Sequence, residues 1–133
     1  MRRLAVALLI VMGTAAWADA ESAIPVSLIN LIATPDQFEG KLVLVEGFAS
    51  FEFEGSALYL TSEDYTHQLY RNAIWLTVTS LSEVELKALD RRFVSVEGRF
   101  RSTDRGHGDL YAASVEVTKI VRRGPYRQLL KEE

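Results

Sequence analysis

The chain has 133 residues, with 15 basic and 18 acidic side chains and a formal net charge of −3 at pH 7. It contains no cysteine, which excludes disulfides and thiol chemistry. The length suits one domain, and that domain must be held together by its apolar core.

The first twenty residues have the order of a secretion signal. Arg2 and Arg3 form a short positive region, residues 4–12 are continuously apolar, and small residues end at Ala20. This order is typical of a cleavable signal peptide. The alternative is a membrane anchor, but a membrane span needs about 20 apolar residues. We therefore expect cleavage after Ala20 and a periplasmic or secreted protein without membrane attachment.

The expected mature chain has residues 21–133 and is more acidic than the full chain. Removing Arg2, Arg3 and Asp19 lowers the basic residues from 15 to 13 and the acidic ones from 18 to 17, which gives a net charge of −4. We predict a folded domain over residues 21–121 and a loosely held basic tail over residues 122–133. The tail's basic residues are Arg122, Arg123, Arg127 and Lys131.

In chain order, the mature sequence predicts a short helix and then a sheet. Residues 26–33 have helical spacing, Ser27 is placed to cap them, and Pro35 ends the helix because proline disfavours helix in the residue before it. Apolar and β-branched runs then predict five strands, at 41–48, 57–61, 73–78, 92–101 and 110–120. A polar segment over residues 62–71, with room for one helical turn, separates the second strand from the third.

A second helix is predicted between the third and fourth strands. Ser80 and Glu83 have the spacing of a capping box. The apolar residues that follow keep helical spacing to Asp90, so we predict a helix over residues 81–89.

A short motif occurs twice in the predicted sheet. The sequence Val-Leu-Val-Glu-Gly at 43–47 returns as Val-Ser-Val-Glu-Gly at 94–98, and Leu-Tyr follows each copy, at 58–59 and 110–111. The repetition predicts two similar hairpins, each with a glycine in the middle of its first strand.

Hairpin, strand, helix and hairpin is the layout of an OB-fold, a small five-stranded barrel. Gly47 would let the first strand bend sharply enough to join both halves of the barrel. We therefore expect a mainly β, five-stranded OB-fold-like barrel with a short N-terminal helix and a helix between strands 3 and 4 that fills the open end. The alternative is another small sheet-plus-helix domain.

The chain also resembles a family of small exported bacterial OB-fold domains. The resemblance lies in VSLINLIATPDQFEGKLVLVEGFASFEFEGSALYL, in Ile74-Trp75-Leu76, in VSVEGRF and in Leu110-Tyr111. It covers most of the mature chain and implies the fold, but it brings no established active site.

Catalytic combinations of residues are nearly absent from the sequence. His67 and His107 are the two histidines. Glu63 and His67 would share one face of a helix, but two ligands do not make a closed metal site, and a solvated polar segment is the preferred interpretation. We predict neither a metal nor another cofactor.

The ligand face of OB-folds consists of strands two and three with the adjoining loops. On this face and near it we predict the ligand-binding residues Phe51, Phe53, Tyr65, Trp75, Arg99, Arg101 and His107. Tyr59 belongs to the same face, but Tyr59 and Phe48 are expected to be buried because aromatic residues of strands usually pack inward.

The leading hypothesis is a non-enzymatic binding module of the cell envelope for a small polar molecule, a glycan or a peptide. The alternative is a protein-interaction subunit of an envelope assembly, which would dock a partner through its tail and an edge strand. A small enzyme is the third hypothesis, because the loops of any fold can host a site. Nucleic acid is not expected as a ligand, since Glu46, Glu52 and Glu54 would repel phosphate.

Overall fold

The computed structural model describes residues 20–124, which form one six-stranded sheet with three short helices. The strands are β1 (Ile24–Pro25), β2 (Leu42–Ser50), β3 (Ala57–Tyr59), β4 (Ala73–Thr77), β5 (Arg92–Arg101) and β6 (Ser114–Arg122). The helices are α1 (Leu28–Ala33), α2 (Ser62–Thr66) and α3 (Glu83–Leu89). Residues 1–19 of the predicted signal and 125–133 of the predicted tail lie outside the described residues.

Five of the strands close into a barrel. β2 pairs with β3, β3 with β4, and β5 with both β2 and β6, all antiparallel, while β4 and β6 pair in parallel. β1 adds a short parallel strand to β2. The predicted mainly β, OB-fold-like barrel is therefore confirmed, and the helix between the third and fourth barrel strands is α3.

The repeated motif pairs with itself across the barrel. Gly47 of β2 lies opposite Val94 of β5, and Gly98 of β5 lies opposite Val43 of β2, so the central valines of the two copies face each other. The sequence predicted two separate hairpins, but it did not indicate that their first strands would be partners. The two glycines therefore lie at opposite ends of the paired motif segments of β2 and β5.

The barrel interior is filled by apolar side chains from all five barrel strands and from α1. Leu28 and Leu31 of α1 are buried in this core, and Ser27 caps the helix by accepting a hydrogen bond from the Asn30 backbone N–H at 3.1 Å. No residue of α3 is buried, and its Leu89 packs only partly against the core. It is thus α1, and not the predicted α3, that contributes buried side chains.

The capping box of α3 lies two residues later than the sequence predicted. The Ser82 side chain accepts from the Glu85 backbone N–H at 3.3 Å, and the Glu85 carboxylate accepts from the Ser82 backbone N–H at 2.8 Å. The spacing Ser-x-x-Glu occurs twice here, at 80–83 and at 82–85. The pattern predicted a capped helix correctly but could not distinguish the two starting points.

We expect Ser82→Ala to lower the free energy of unfolding by about 1 kcal/mol, because it removes the acceptor for an otherwise unpaired N–H of the first helical turn. Ser80→Ala is the matched control and should change stability by less than about 0.5 kcal/mol. Urea unfolding of both variants measures the difference. Equal losses in the two variants would contradict the assigned cap.

The last strand also differs from its prediction. β6 begins at Ser114 instead of residue 110 and continues to Arg122, and the Arg123 backbone N–H then donates to the Phe93 carbonyl at 2.8 Å. Leu110 and Tyr111 precede the strand, because a 3-10 turn over His107–Asp109 diverts the chain there. This diversion places the loop beside β3 and forms one wall of a cleft.

Candidate functional site

A cleft of about 590 Å³ opens beside β3, between the β2–β3 turn and the β5–β6 loop. We call it the tyrosine cleft because four tyrosines line it. Its lining residues are Glu52, Phe53, Glu54, Gly55, Tyr59, Tyr65, Thr66, Gln68, Tyr70, Arg91, His107, Leu110 and Tyr111. It therefore occupies the face and the two loops that OB-folds use for ligands.

The β2–β3 turn brings an aromatic ring and two carboxylates to the mouth of the cleft. The Gly55 backbone N–H closes the turn on the Glu52 carbonyl at 3.1 Å. The Asp90 carboxylate accepts from the Phe51 backbone N–H at 2.9 Å and ties the turn to the end of α3. At the tip, Phe53 is 93% exposed. A large apolar ring is thus held in solvent at the edge of the cleft.

Helix α2 places Tyr65 in the wall of the cleft. Thr61 caps the helix by accepting from the Asp64 backbone N–H at 3.1 Å. The Tyr65 ring packs edge-on against Tyr59, with 5.5 Å between ring centroids. Its hydroxyl donates to the Glu52 carboxylate across the cleft. Tyr65 therefore links the helix to the β2–β3 turn.

The floor of the cleft is a cluster of aromatic side chains. Tyr59 and Tyr111 are both buried, and Tyr111 packs against Tyr70 at 5.4 Å and Trp75 at 5.3 Å between ring centroids. A Cβ atom on Gly106 would lie 2.6 Å from the Trp75 ring, so the absence of a side chain lets the β5–β6 loop lie directly on that ring. Trp75 thus supports Tyr111 from below.

Burial and the charge of Glu52 act together on the phenols of the cleft. Burial is the main cause that raises the pKa of Tyr59 and the pKa of Tyr111. The pKa of Tyr65 is raised first by the hydrogen bond to Glu52 and then by burial. The Glu52 charge adds to the pKa increase of all three tyrosines. Its carboxylate therefore acts on the phenols of Tyr59, Tyr65 and Tyr111.

We expect stability to fall as the pH rises above 10.0, the ordinary tyrosine pKa. The folded chain keeps these phenolic protons to higher pH than the unfolded chain does, so the stabilisation is complete below that pH and is lost above it. Urea unfolding across this range, with phenolate absorbance followed in parallel, measures the effect. Tyr59→Phe should make the decline shallower. Normal titration of every phenol in the folded protein would contradict this expectation.

Polar and charged side chains meet at the rim of the cleft. The Glu54 carboxylate lies 3.6 Å from His107 Nε2, which joins the tips of the two loops. The Arg91 guanidinium lies over the Tyr65 ring, 5.8 Å from its centroid, and also 3.8 Å from the Asp90 carboxylate. These contacts thus connect the two loops to each other and the residue before β5 to helix α2.

Unusual backbone conformations are concentrated at this site. Among residues 20–124, the non-glycine residues with positive φ are Glu54, Gln68 and Arg91 at 54° and Asp109 at 57°. The first three line the cleft, and Asp109 is in the loop that carries His107. Such conformations cost of order 1–3 kcal/mol and cluster at functional sites. Their distribution singles out the tyrosine cleft within the described chain.

The structure brings three of the seven predicted ligand-binding residues together. Phe53, Tyr65 and His107 line the tyrosine cleft, and Trp75 lies beneath Tyr111 in its floor. Phe51 packs partly buried against the main core instead.

The two predicted arginines are not among the lining residues of the cleft. Arg99 donates to Glu21 at 2.7 Å and Arg101 to Glu116 at 3.0 Å. Both follow the alternation of β5, in which the intervening Phe100 points into the core. Their charges are therefore used in surface ion pairs outside the cleft.

Sequence reasoning missed several cleft residues. Glu52 and Glu54 form an obvious carboxylate pair, and Tyr111 belongs to the repeated Leu-Tyr, so these three had a signal. Tyr70 and Arg91 had none, because only the folding of the polar segment and the turn after α3 bring them to the cleft.

Two further features are absent from the described part of the chain. Residues 20–124 contain no group of three or more His, Asp or Glu side chains placed to hold a metal ion. Over the same residues, no helix has the length and apolar character needed to cross a membrane.

Comparisons with known proteins assign the chain neither a family nor a function. No family model matches the chain, and no curated protein matches it. One similar solved structure is the crystal structure of a protein described as an aspartyl-tRNA synthetase from Leishmania major Friedlin, with a TM-score of 0.47 and 11% identity. The match covers 83% of this chain and 22% of that one. Nothing about a synthetase activity follows for this chain.

Proposed function

We propose that this chain is a non-enzymatic binding module of the periplasm or cell exterior, with its ligand in the tyrosine cleft. The observation that carries the proposal is an open cleft of about 590 Å³ whose lining combines tyrosine rings with two carboxylates. Small-molecule sites in proteins have volumes of roughly 300–1,000 Å³ and combine aromatic walls with a few polar groups. The position of the cleft on the ligand face of the barrel also favours binding.

The polar groups of the cleft favour binding over catalysis, because they are engaged with one another. Thr66 donates its hydroxyl to the Ser62 carbonyl at 3.0 Å and is not poised as a nucleophile. Glu52 accepts from Tyr65, and Glu54 lies beside His107. A prearranged set of donors and acceptors of this kind suits recognition, since little has to be ordered when the ligand enters.

The same lining supports a polar ligand. Aromatic faces can stack on sugar rings or on planar groups, and carboxylates accept hydrogen bonds from hydroxyls and amines. A small polar molecule, a glycan or a peptide fits this chemistry. Nucleic acid fits less well, because Glu52 and Glu54 would repel its phosphates. The signal-like residues 1–20 are what supports a location outside the cytoplasm.

The proposal is tested by screening the purified mature protein against panels of sugars, amino acids, short peptides and polyamines. Intrinsic tyrosine and tryptophan fluorescence reports binding, because Trp75 and Tyr111 form part of the floor. We expect at least one class to bind saturably and Phe53→Ala to weaken it about tenfold, a loss typical of one well-placed aromatic contact.

Phe93→Ala is the matched control for Phe53→Ala. Phe93 is 49% exposed and does not line the cleft, so affinity should be unchanged in this variant. A ligand that binds Phe53→Ala as tightly as the unaltered protein, or the absence of binding in every class, would count against the tyrosine cleft.

A further inference from the structure

The charge of the tyrosine cleft indicates which class of ligand it binds. This inference rests on the proposed function, that the cleft is a binding site. Glu52 accepts a hydrogen bond from a neutral hydroxyl, that of Tyr65, which does not offset its negative charge. Glu54 lies 3.6 Å from His107 Nε2, and the two form an ion pair only while the imidazole is protonated. With a neutral imidazole, the two carboxylates give the mouth of the cleft a negative charge.

One ring of the cleft already holds a cation of the protein itself. The Arg91 guanidinium lies 5.8 Å from the centroid of the Tyr65 ring, within the distance at which a cation is attracted to an aromatic face. Arg91 also lies 3.8 Å from Asp90, a carboxylate that does not line the cleft and that offsets the guanidinium charge. Arg91 therefore shows that the Tyr65 ring attracts a cation. Because Asp90 offsets the guanidinium charge, Arg91 does not cancel the charge of Glu52 and Glu54.

We propose that the tyrosine cleft binds an organic cation, an ammonium or guanidinium group, against its rings and between Glu52 and Glu54. The exposed ring of Phe53 at the mouth supplies a further aromatic face. Aromatic rings combined with carboxylates are the usual means by which proteins recognise such cations. Two sources carry this chemistry, a basic side chain of a peptide and a free polyamine.

A neutral glycan is the competing ligand class, and charge distinguishes it from a cation. A sugar would stack on the same rings and donate hydroxyls to the same carboxylates, but its affinity would depend little on salt or on the carboxylate charge. An organic cation, in contrast, binds more weakly when the salt concentration is raised or when the carboxylate charge is removed. An amide in place of a carboxylate keeps the size of the side chain and one acceptor oxygen, so it isolates the charge.

The test is isothermal titration calorimetry of the mature protein with spermidine and with an arginine-containing tripeptide, each at low and at high salt. The neutral probes are the same tripeptide with citrulline in place of arginine and a neutral disaccharide. We expect saturable binding of at least one cation, weakened several-fold by salt, and no saturable binding of the citrulline peptide. Spermidine binding alone indicates a polyamine, and tripeptide binding alone indicates a peptide.

The variants Glu52→Gln and Glu54→Gln should each weaken cation binding about fivefold to tenfold, as expected for the loss of one partly screened charge pair. Glu83→Gln, on the exposed surface of α3, is the control and should bind as the unaltered protein does.

Three results overturn the inference: affinities unchanged in both cleft variants, saturable binding of the citrulline peptide with the affinity of the arginine peptide, or no cation bound more tightly than about 1 mM. If the disaccharide binds and Phe53→Ala weakens that binding, the ligand is not a cation, but the proposed binding function still holds. No binding of any probe would count against both.

Discussion

We expect Gly98→Ala to lower the free energy of unfolding by about 3 kcal/mol, the upper range for forcing an extra carbon into a packed site. Gly98 lies where β5 changes register against β6. A Cβ atom there would lie 2.5 Å from Val115 Cγ1 and would collide with the Glu116 carbonyl oxygen. Because part of the obstacle is backbone of the neighbouring strand, a side-chain rotation cannot relieve it. Equilibrium urea unfolding measures the loss.

Gly55→Ala is the matched control for this change. At Gly55 the nearest atom to an added Cβ is Glu52 Cβ at 3.4 Å, an ordinary contact distance. Stability should change by less than about 0.5 kcal/mol. Equal stability of Gly98→Ala and Gly55→Ala would contradict the close approach of β6 to Gly98.

Phe100→Ala should cost still more, about 4 kcal/mol, because it removes a large ring from the sealed interior of the barrel. Phe100 has no exposed surface and is the largest of the fully buried side chains in the described chain. Its backbone is fixed on both sides, since its N–H donates to the Lys41 carbonyl at 3.0 Å and its carbonyl accepts from Gly40 at 2.9 Å. The site therefore cannot collapse easily around the missing ring.

The same substitution at the 93% exposed Phe53 is the control, and it should change stability by less than about 0.5 kcal/mol. Thermal unfolding of both variants gives the comparison. Since small domains have a total stability of about 5–15 kcal/mol, Phe100→Ala should unfold well below the temperature of the parent protein. A small effect of Phe100→Ala would contradict the barrel core.

The sequence was sufficient to predict the barrel, because its signals are local. Strand patterns, the cap at Ser27 and the glycine at 47 each constrain a few neighbouring residues. The exact start of α3 was not predictable, since two serines offered the same capping spacing. Nor was the pairing of the two repeats with each other, because pairing depends on contacts between residues about fifty positions apart.

The site was predicted only in part, for a related reason. Alternation in β5 could not tell whether Arg99 and Arg101 face the cleft or the outer surface of the barrel. Their ion pairs with Glu21 and Glu116 depend on chain segments distant in sequence. Arg91 reaches the cleft because its own backbone has positive φ in the turn after α3, and no pattern of residues in the sequence predicts that conformation. The predicted residues that do line the cleft come from its loops and from α2.

The central claim, that the tyrosine cleft is the ligand site, is tested most directly by mapping backbone amide chemical shifts while a bound ligand is titrated. We predict perturbations concentrated at residues 52–55, 65–70, 91 and 107–111, the segments that line the cleft, with the exposed face of α1 unaffected. Saturable binding with perturbations confined to other surfaces, such as the groove beside Ile29 and Leu60, would contradict the claim.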